Sequence, residues 1–560
     1  MPPPPSPTAS PSPTASPAAS RSAAENAPAP AGLRTGTLGT ADISFFVVSA
    51  AAPLTVMAGV APTALVLGGI GAPAGYLLAG LTLAVFAVGF TTMSRHVRSA
   101  GAFYAYITRG LGRPLGIAAA LVAMVGYNGM EIGVYGLLGS ATADTAHALW
   151  GVDLPWLPVS LAGLLLIWYG GHRSIDFGAK VLGVLLVAET GILVLLAAGV
   201  LAKGGAHGLS AASFAPGNVL VPGTAAVLAF AFAAFTGFES TVIYRREARD
   251  PARTIPRATY LAIGFLGLFY AFVVWTVIQA YGDAQVVAAA AADPGGLFFA
   301  AITTYVGGWA ADLMHLLIVT SVLASLLAFH NAINRYGLAL AEEGVLPAAV
   351  GRIHPRHRSP YVAGAAQTVL GALIVLGFAL AGADPYSQLL LWVNTPGMLG
   401  LMALMLLAAL AVIRYFRRVP HQEGALRTLV APVVAAVLLA VALYLVASKV
   451  ALFTGASTTV NAVLVAVVPA VLVLGLLLAR RLRRTRPEVY ARFAAEPEPE
   501  SAEGPVPEPS VPEPAASSDP HLPHHPQGDP SCPRPTSSSS TPSSAPRTPP
   551  TTPLSPSATD

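Results

Sequence analysis

Phe235-Thr-Gly-Phe-Glu-Ser240 interrupts an apolar run that extends from Val221 to Tyr244. A run of this kind can cross a hydrocarbon core, for which about 20 residues suffice at about 1.5 Å of rise per residue. Its centre nevertheless holds Gly237, which permits irregular backbone, and a carboxylate, Glu239. Irregular backbone at membrane depth persists only where protein buries it or where it lines a cavity. The stretch therefore predicts a broken transmembrane helix inside a bundle of several.

A second interruption stands in the first apolar run, at Ser49-Ala-Ala-Ala-Pro53. Pro53 has no amide hydrogen and clashes with the preceding turn, so the helix kinks or unwinds there, and the small residues beside it let a ligand approach the backbone. A half-helix N-terminus offers free N–H groups to a carboxylate, and freed carbonyls accept from an ammonium group. A zwitterionic amino acid carries both. Two broken helices, each the first of a five-helix half, match transporters whose substrate sits between them.

Composition agrees with a lipid environment: 54% of residues are hydrophobic and only 10% charged, a balance that would leave a water-soluble domain with large exposed apolar patches. The apolar runs predict an all-α polytopic membrane protein with twelve transmembrane helices, at 41–60, 64–92, 114–142, 154–170, 178–202, 221–244, 258–282, 309–341, 360–382, 386–415, 428–450 and 459–480. Arg95, Arg98, Arg109 and Arg113 follow the second span, Arg173 and Lys180 the fourth, and Arg245, Arg246, Arg249, Arg253 and Arg257 the sixth. Arg352, Arg356 and Arg358 follow the eighth, Arg417, Arg418 and Arg427 the tenth, and Arg480 to Arg486 the last, whereas only Lys203 and Lys449 stand near the ends of odd-numbered spans. Short basic loops resist translocation, which places both termini in the cytoplasm and the chain in the inner (cytoplasmic) membrane. Topology thus accounts for the formal charge of +4, and no basic stripe on a folded domain points to nucleic acid.

Residues 1–37 and 485–560 are rich in Pro, Ser and Ala or Pro, Ser, Thr and Glu, cannot bury a core, and read as disordered cytoplasmic tails around a transport domain at 38–484. The single cysteine, Cys532, lies in the second tail, so neither a disulfide framework nor a cysteine-based metal site is expected. No nucleophile motif, phosphate loop or metal-ligand spacing argues for the different class of an intramembrane enzyme or signalling protein, and no cofactor is implied.

Three stretches resemble the amino acid–polyamine–organocation superfamily of permeases: Ser99-Ala-Gly-Ala-Phe-Tyr-Ala-Tyr-Ile-Thr-Arg-Gly-Leu-Gly112 with Pro114-Leu-Gly116; Ala234-Phe-Thr-Gly-Phe-Glu239 with Glu247-Ala-Arg-Asp-Pro251 and Thr254-Ile-Pro-Arg257; and Asn334-Arg-Tyr-Gly-Leu-Ala-Leu-Ala-Glu-Glu-Gly-Val-Leu-Pro347 with Ser359-Pro360. The resemblance implies a LeuT-like arrangement, two inverted five-helix repeats plus two helices, working by alternating access. It also implies a substrate site at the breaks of helices one and six, drawing on Ser49, Ala50, Ala51, Ala52, Phe235, Thr236, Gly237 and Phe238, with helices three, eight and ten closing it. Many members have a glycine-rich first break, where this chain has Ser49-Ala-Ala-Ala-Pro53.

A charge inside the bilayer costs about 2.5–3.5 kcal/mol even on lenient scales, so Glu131, Glu189 and Glu239 each need a local reason. Glu189 aligns with a position where several proton-coupled members of the family carry a lysine; it is either a coupling residue or a hydrogen-bonded structural acid. Glu239 resembles the family's sixth-helix glutamate, as a gate or as a cap for the freed amides. Tyr127 and Glu131 share a face of helix three and, with Asn128, are expected at the cavity. Hydroxyls of Thr320, Ser321 and Ser325 could serve a sodium ion instead, or only bond backbone carbonyls. His315 and His330, about four turns apart on helix eight, are expected in helix contacts rather than at a metal, and Trp392, Asn394 and Pro396 either narrow the site or belong to the core. The expected work is proton-coupled import of amino acids or related amines. The alternative is a sodium-coupled or exchange transporter of polyamines or other organic cations.

Overall fold

In the computed structural model, which describes residues 36–97, 101–172 and 175–495 and all their side chains except those of 175–182, the first apolar run is split in two. Helix α1 (Thr40–Ala51) ends where Ala52 turns left-handed, and α2 (Pro53–Gly59) restarts with proline in its first turn, where its missing N–H is no loss. The tails expected at 1–37 and 485–560 lie outside these bounds except for residues 36–37 and 485–495, as do Arg98, Ser99, Arg173 and Cys532.

The second run forms α3 (Ala61–Gly68) and α4 (Ala72–His96). Then come α5 (Ala102–Leu111), α6 (Arg113–Trp150), α7 (Trp156–His172) and α8 (Ile175–Ala202). The sixth run is again broken: α9 (Thr224–Ala234) gives way to 3₁₀ turns over Phe238–Arg246, with Gly237 between them at φ +112°. Past it lie α10 (Pro251–Tyr281), α11 (Val286–Ala292), α12 (Leu297–Tyr305), α13 (Gly308–Glu342) and α14 (Tyr361–Leu380). The chain continues through α15 (Leu391–Phe416), α16 (Ala431–Ser448), α17 (Val450–Thr454), α18 (Thr458–Thr485) and α19 (Pro487–Arg492). Among the described residues the sole β feature is an isolated bridge between Leu38 and Ala248.

Eleven helical stretches among the described residues are long and apolar enough to cross a membrane. Of the twelve expected spans, the fourth is not among them: α7 has 17 residues, about 26 Å at 1.5 Å each, just short of a hydrocarbon core of about 30 Å. Leucine and valine side chains on the outer faces of α7, α14 and α18, among them Leu165, Leu373 and Leu474, stand exposed, as a surface facing lipid requires. Inside, tyrosine and phenylalanine rings on α4, α5, α6 and α10 fill the bundle.

The basic helix ends share one face. There Arg245 donates to the Ser94 carbonyl at 2.5 Å, Arg246 pairs with Glu342 at 2.6 Å, and Arg95 approaches Glu423 at 3.9 Å. Residues 487–495, which composition assigns to a tail, fold against this face. The Phe493 and Ala494 side chains are buried, Ala494 N–H donates to Glu343 Oε2 at 2.5 Å, and Arg113 donates to the Ala491 carbonyl at 2.8 Å.

Candidate functional site

The two breaks meet. A Cβ on Gly237 would come within 3.0 Å of the Ala50 Cβ, and the Phe46 and Tyr244 rings stack at 5.1 Å on the basic side of this contact. Only a residue without a side chain permits both that approach and a φ of +112°.

Each backbone group freed by the first break has a partner. The Ala50 carbonyl accepts from the Ser325 hydroxyl at 2.7 Å and the Ala51 carbonyl from Tyr270 at 3.0 Å. On the other side of Pro53, Leu54 N–H donates to Glu189 Oε2 at 3.4 Å and Thr55 N–H to Ser321 Oγ at 3.3 Å. The Thr55 hydroxyl donates to Ser321 Oγ at 2.9 Å, and Ser321 in turn donates to Glu189 Oε2. Glu189 is thus tied to α2 and α13 through one oxygen, while its other oxygen, Oε1, is buried with no hydrogen-bond partner. Among the described residues, no salt bridge involves Glu189.

At the second break, Gly237 N–H donates to Glu239 Oε2 at 3.1 Å, and the Tyr127 hydroxyl donates to Glu239 Oε1 at 2.7 Å. Glu239 therefore caps a freed amide and binds α6 to the break at once. The Ser240 hydroxyl donates to the Gly237 carbonyl at 2.6 Å, and Thr236 to the Phe232 carbonyl at 3.3 Å.

Between the breaks lies a cavity of about 80 Å³, walled by Ala50, Ala51, Ala52, Thr55, Thr236, Ser325 and Asn394 and otherwise by apolar side chains, with no charged group in its lining. From α6 the wall takes Met130, Val134 and Leu137, which recur at i, i+4 and i+7 on one face. Tyr127 turns instead to Glu239. Asn128 folds its amide back onto the Met124 carbonyl at 2.8 Å, and Glu131 accepts from Tyr135 at 3.3 Å and lies 3.2 Å from His330 Nδ1. Ser49 is buried in α1 beside the wall. The Phe235 ring packs against Tyr270 and the Gly80–Gly267 contact, and Phe238 sets its ring edge-on to Phe86 at 6.2 Å, so these two brace the break from behind. The hydroxyls weighed for sodium are occupied: Thr320 donates to the Leu317 carbonyl, Ser321 to Glu189, and Ser325 to Ala50.

A larger cavity, about 860 Å³, opens on the face opposite the arginines and includes Asp144, Asp153, Asp293, His147 and His315. Leu137 belongs to both cavities. Toward the basic face the route is packed: below Glu239 stand Tyr336, 6.0 Å from the Tyr127 ring, and a buried ion pair in which Arg335 Nε meets Glu247 Oε1 at 2.6 Å. That pair was open to a sequence reader, because Glu247 and Arg335 both stand in the family-like motifs, the first just past the sixth apolar run and the second inside the eighth. No comparable signal marks the apolar lining from α6, or Phe453, which enters the wall from α17.

Comparison with known proteins gives the same picture over most of the chain. A sequence model described as amino acid permease matches residues 42–489. An uncharacterized transporter of Mycobacterium tuberculosis is 27% identical over 319 residues, 54% of this chain and 67% of that protein. A branched-chain amino acid permease of Bacillus subtilis is 23% identical over 216 residues, 38% of this chain and 42% of the relative. An L-methionine/branched-chain amino acid exporter of Escherichia coli is 27% identical over 209 residues, 36% and 47% of the two chains.

Proposed function

From the premise that this chain belongs to the amino acid permease family, we propose that it imports neutral amino acids with aliphatic side chains across the cytoplasmic membrane, by alternating access and in symport with protons. The observation that carries the reading is the lining of the cavity between the two breaks: backbone, hydroxyls, the Asn394 amide and apolar side chains, without one charged group. An α-amino acid can present its carboxylate and ammonium to half-helix termini. A polyamine would place further ammonium groups against Val, Leu, Met and Phe, where an unpaired buried charge is heavily penalised. The names of the Bacillus subtilis and Escherichia coli relatives point to the same substrate class.

Twelve spans in a LeuT-like inverted repeat are part of the proposal, supported by breaks in the first and sixth runs and by α7 at the fourth position. With the arginines facing the cytoplasm, the larger cavity is an external vestibule and this conformation opens outward. Ala50, Ala51, Ala52 and Thr236 then line the site, Gly237 permits its geometry, and Glu239 with Tyr127 holds the second break. Glu189 is the proton carrier: a proton on the unpartnered Oε1 cancels a charge at membrane depth, and loss of that proton would leave a carboxylate that accepts more strongly from Leu54 N–H and Ser321, so that protonation sets how firmly α2 is held to α13. Because the Ser321 oxygen already accepts from both the Thr55 N–H and the Thr55 hydroxyl, its lone pairs are taken, and protons are preferred to sodium as the driving ion.

Uptake of labelled amino acids into proteoliposomes, under an imposed proton gradient and then a sodium gradient, tests both parts. Leucine, valine and methionine should accumulate on the proton gradient, with Glu189→Gln losing that accumulation while retaining exchange. Accumulation driven by sodium alone, unchanged in Glu189→Gln, would remove the proton from the mechanism.

A further inference from the structure

Phe453 reaches the cavity from a part of the chain that neither broken helix accounts for. It lies on α17, the five-residue helix between the last two long helices, and its side chain is buried in the cavity wall. Its ring meets Phe230 of α9 at 4.7 Å between centroids, tilted by 46°. Phe230 stands five residues before Phe235, about 7.5 Å along the helix axis from the break. With an amino acid's two charges placed at the break, as the functional reading has it, a side chain pointing from there toward Phe230 meets this pair of rings.

The short helix is held in place. Lys449 interrupts the preceding helix, and Gly455 turns left-handed at φ +62°. Between them the Thr454 hydroxyl donates to Asn461 Oδ1 at 2.6 Å, the Asn461 amide donates to the Ala456 carbonyl at 2.8 Å, and Trp392 Nε1 donates to the Thr454 carbonyl at 3.3 Å. Thr454 and Asn461 are buried. These bonds fix the backbone under Phe453 against both α15 and α18, so its ring is a rigid wall rather than a loop residue free to yield.

We propose that Phe453 sets the upper size of the side chain that the cavity accepts, making it a specificity-determining residue outside the broken helices. The proposal rests on the reading of the cavity as an amino acid site. Shortening the ring opens room beside Phe230, and lengthening it takes room away. A pocket that gains or loses a few carbons changes selectivity by roughly 10- to 200-fold per methylene-sized step at most.

The experiment measures KM for tritiated alanine and leucine, and the inhibition of each by unlabelled valine, methionine, phenylalanine and tryptophan, in proteoliposomes of the wild-type chain, Phe453→Leu, Phe453→Ala and Phe453→Trp. Phenylalanine and tryptophan should inhibit Phe453→Ala and Phe453→Leu at least roughly tenfold better than wild type, whereas Phe453→Trp should keep alanine and lose leucine. Thermal unfolding of each variant separates this from a packing role, which would lower stability and maximal rate equally for all substrates. Variants that fold and keep the wild-type rank order overturn the role of Phe453 and leave the functional reading standing. A wild-type chain that takes neither alanine nor leucine, nor binds any of the competitors, overturns both.

Discussion

Ala52 is the residue on which the first break turns, and it occupies a conformation that alanine rarely adopts, φ +43° and ψ +78°. For an L-residue the left-handed region costs about 1–2 kcal/mol because Cβ crowds the following carbonyl. Two bonds offset it: Ala52 N–H donates to the Val48 and Ser49 carbonyls at 3.0 and 3.1 Å. Glycine at such a break would avoid the strain but gain chain entropy when unfolded, worth about 0.5–1 kcal/mol in the opposite sense. The two effects nearly cancel. Ala52→Gly is therefore expected to leave the thermal midpoint of the detergent-solubilised protein unchanged or slightly raised, whereas Ala52→Val, β-branched at positive φ, should destabilise by about 1–3 kcal/mol. An equal loss in both variants would show that the methyl group in the cavity wall, not the backbone angle, matters at this position.

At the scale of elements, α1 and the turns Phe238–Arg246 form one unit. They are joined by the Leu38–Ala248 bridge, the Phe46–Tyr244 stack and the Ala50–Gly237 contact, and then fastened to α13 by Glu247 and Arg335. The ion pair is almost fully buried, with side-chain exposures of 2% and 6%, and Arg335 also donates to the Asn331 carbonyl at 3.0 Å. Removing one partner strands the other charge, so Arg335→Met should lower stability by about 3–5 kcal/mol. The double variant Glu247→Leu with Arg335→Met should recover most of that loss, as read by thermal unfolding of both proteins. If the double variant is as unstable as the single one, the pair is not what fastens the unit. Sequence revealed the unit's two ends, because proline, glycine and intramembrane glutamates each break a hydrophobic pattern. It did not reveal the helix face that walls the cavity, since Met130, Val134 and Leu137 differ in no periodic property from the residues around them. Likewise α5, α11 and α12 are too short for an apolar run to announce them, and Tyr127 was legible as an inward polar group but not as the partner of Glu239. Such pairings depend on the rotation of one helix against another, which packing decides.

Seen as a whole molecule, the chain closes one face and opens the other, and the segment after the last long helix belongs to the closed side. Phe493 lies 5.3 Å from the Tyr104 ring, Tyr104 is 5.4 Å from Tyr336, and Tyr336 leads to Tyr127 and the second break. A change in how residues 487–495 dock therefore meets, through packed rings, the element that bends around the cavity. One titratable group reports on this docking. Burial holds the Glu343 carboxyl above the ordinary carboxylate range, against the opposing effect of the Ala494 N–H it accepts from and of nearby Arg246. When the segment lifts, Glu343 regains water and its affinity for a proton falls. Docking therefore takes up a proton: it is favoured fully below the ordinary carboxylate pKa and loses that support as pH rises through the raised one. Hydrogen–deuterium exchange over residues 487–495, corrected for the intrinsic pH dependence of exchange, should show more protection in mild acid than in mild alkali. In Glu343→Gln, which cannot titrate, that difference should vanish. Equal protection across the range in the wild-type chain would mean that the segment is held by the Phe493 ring and the Arg113 bond alone, with Glu343 a bystander.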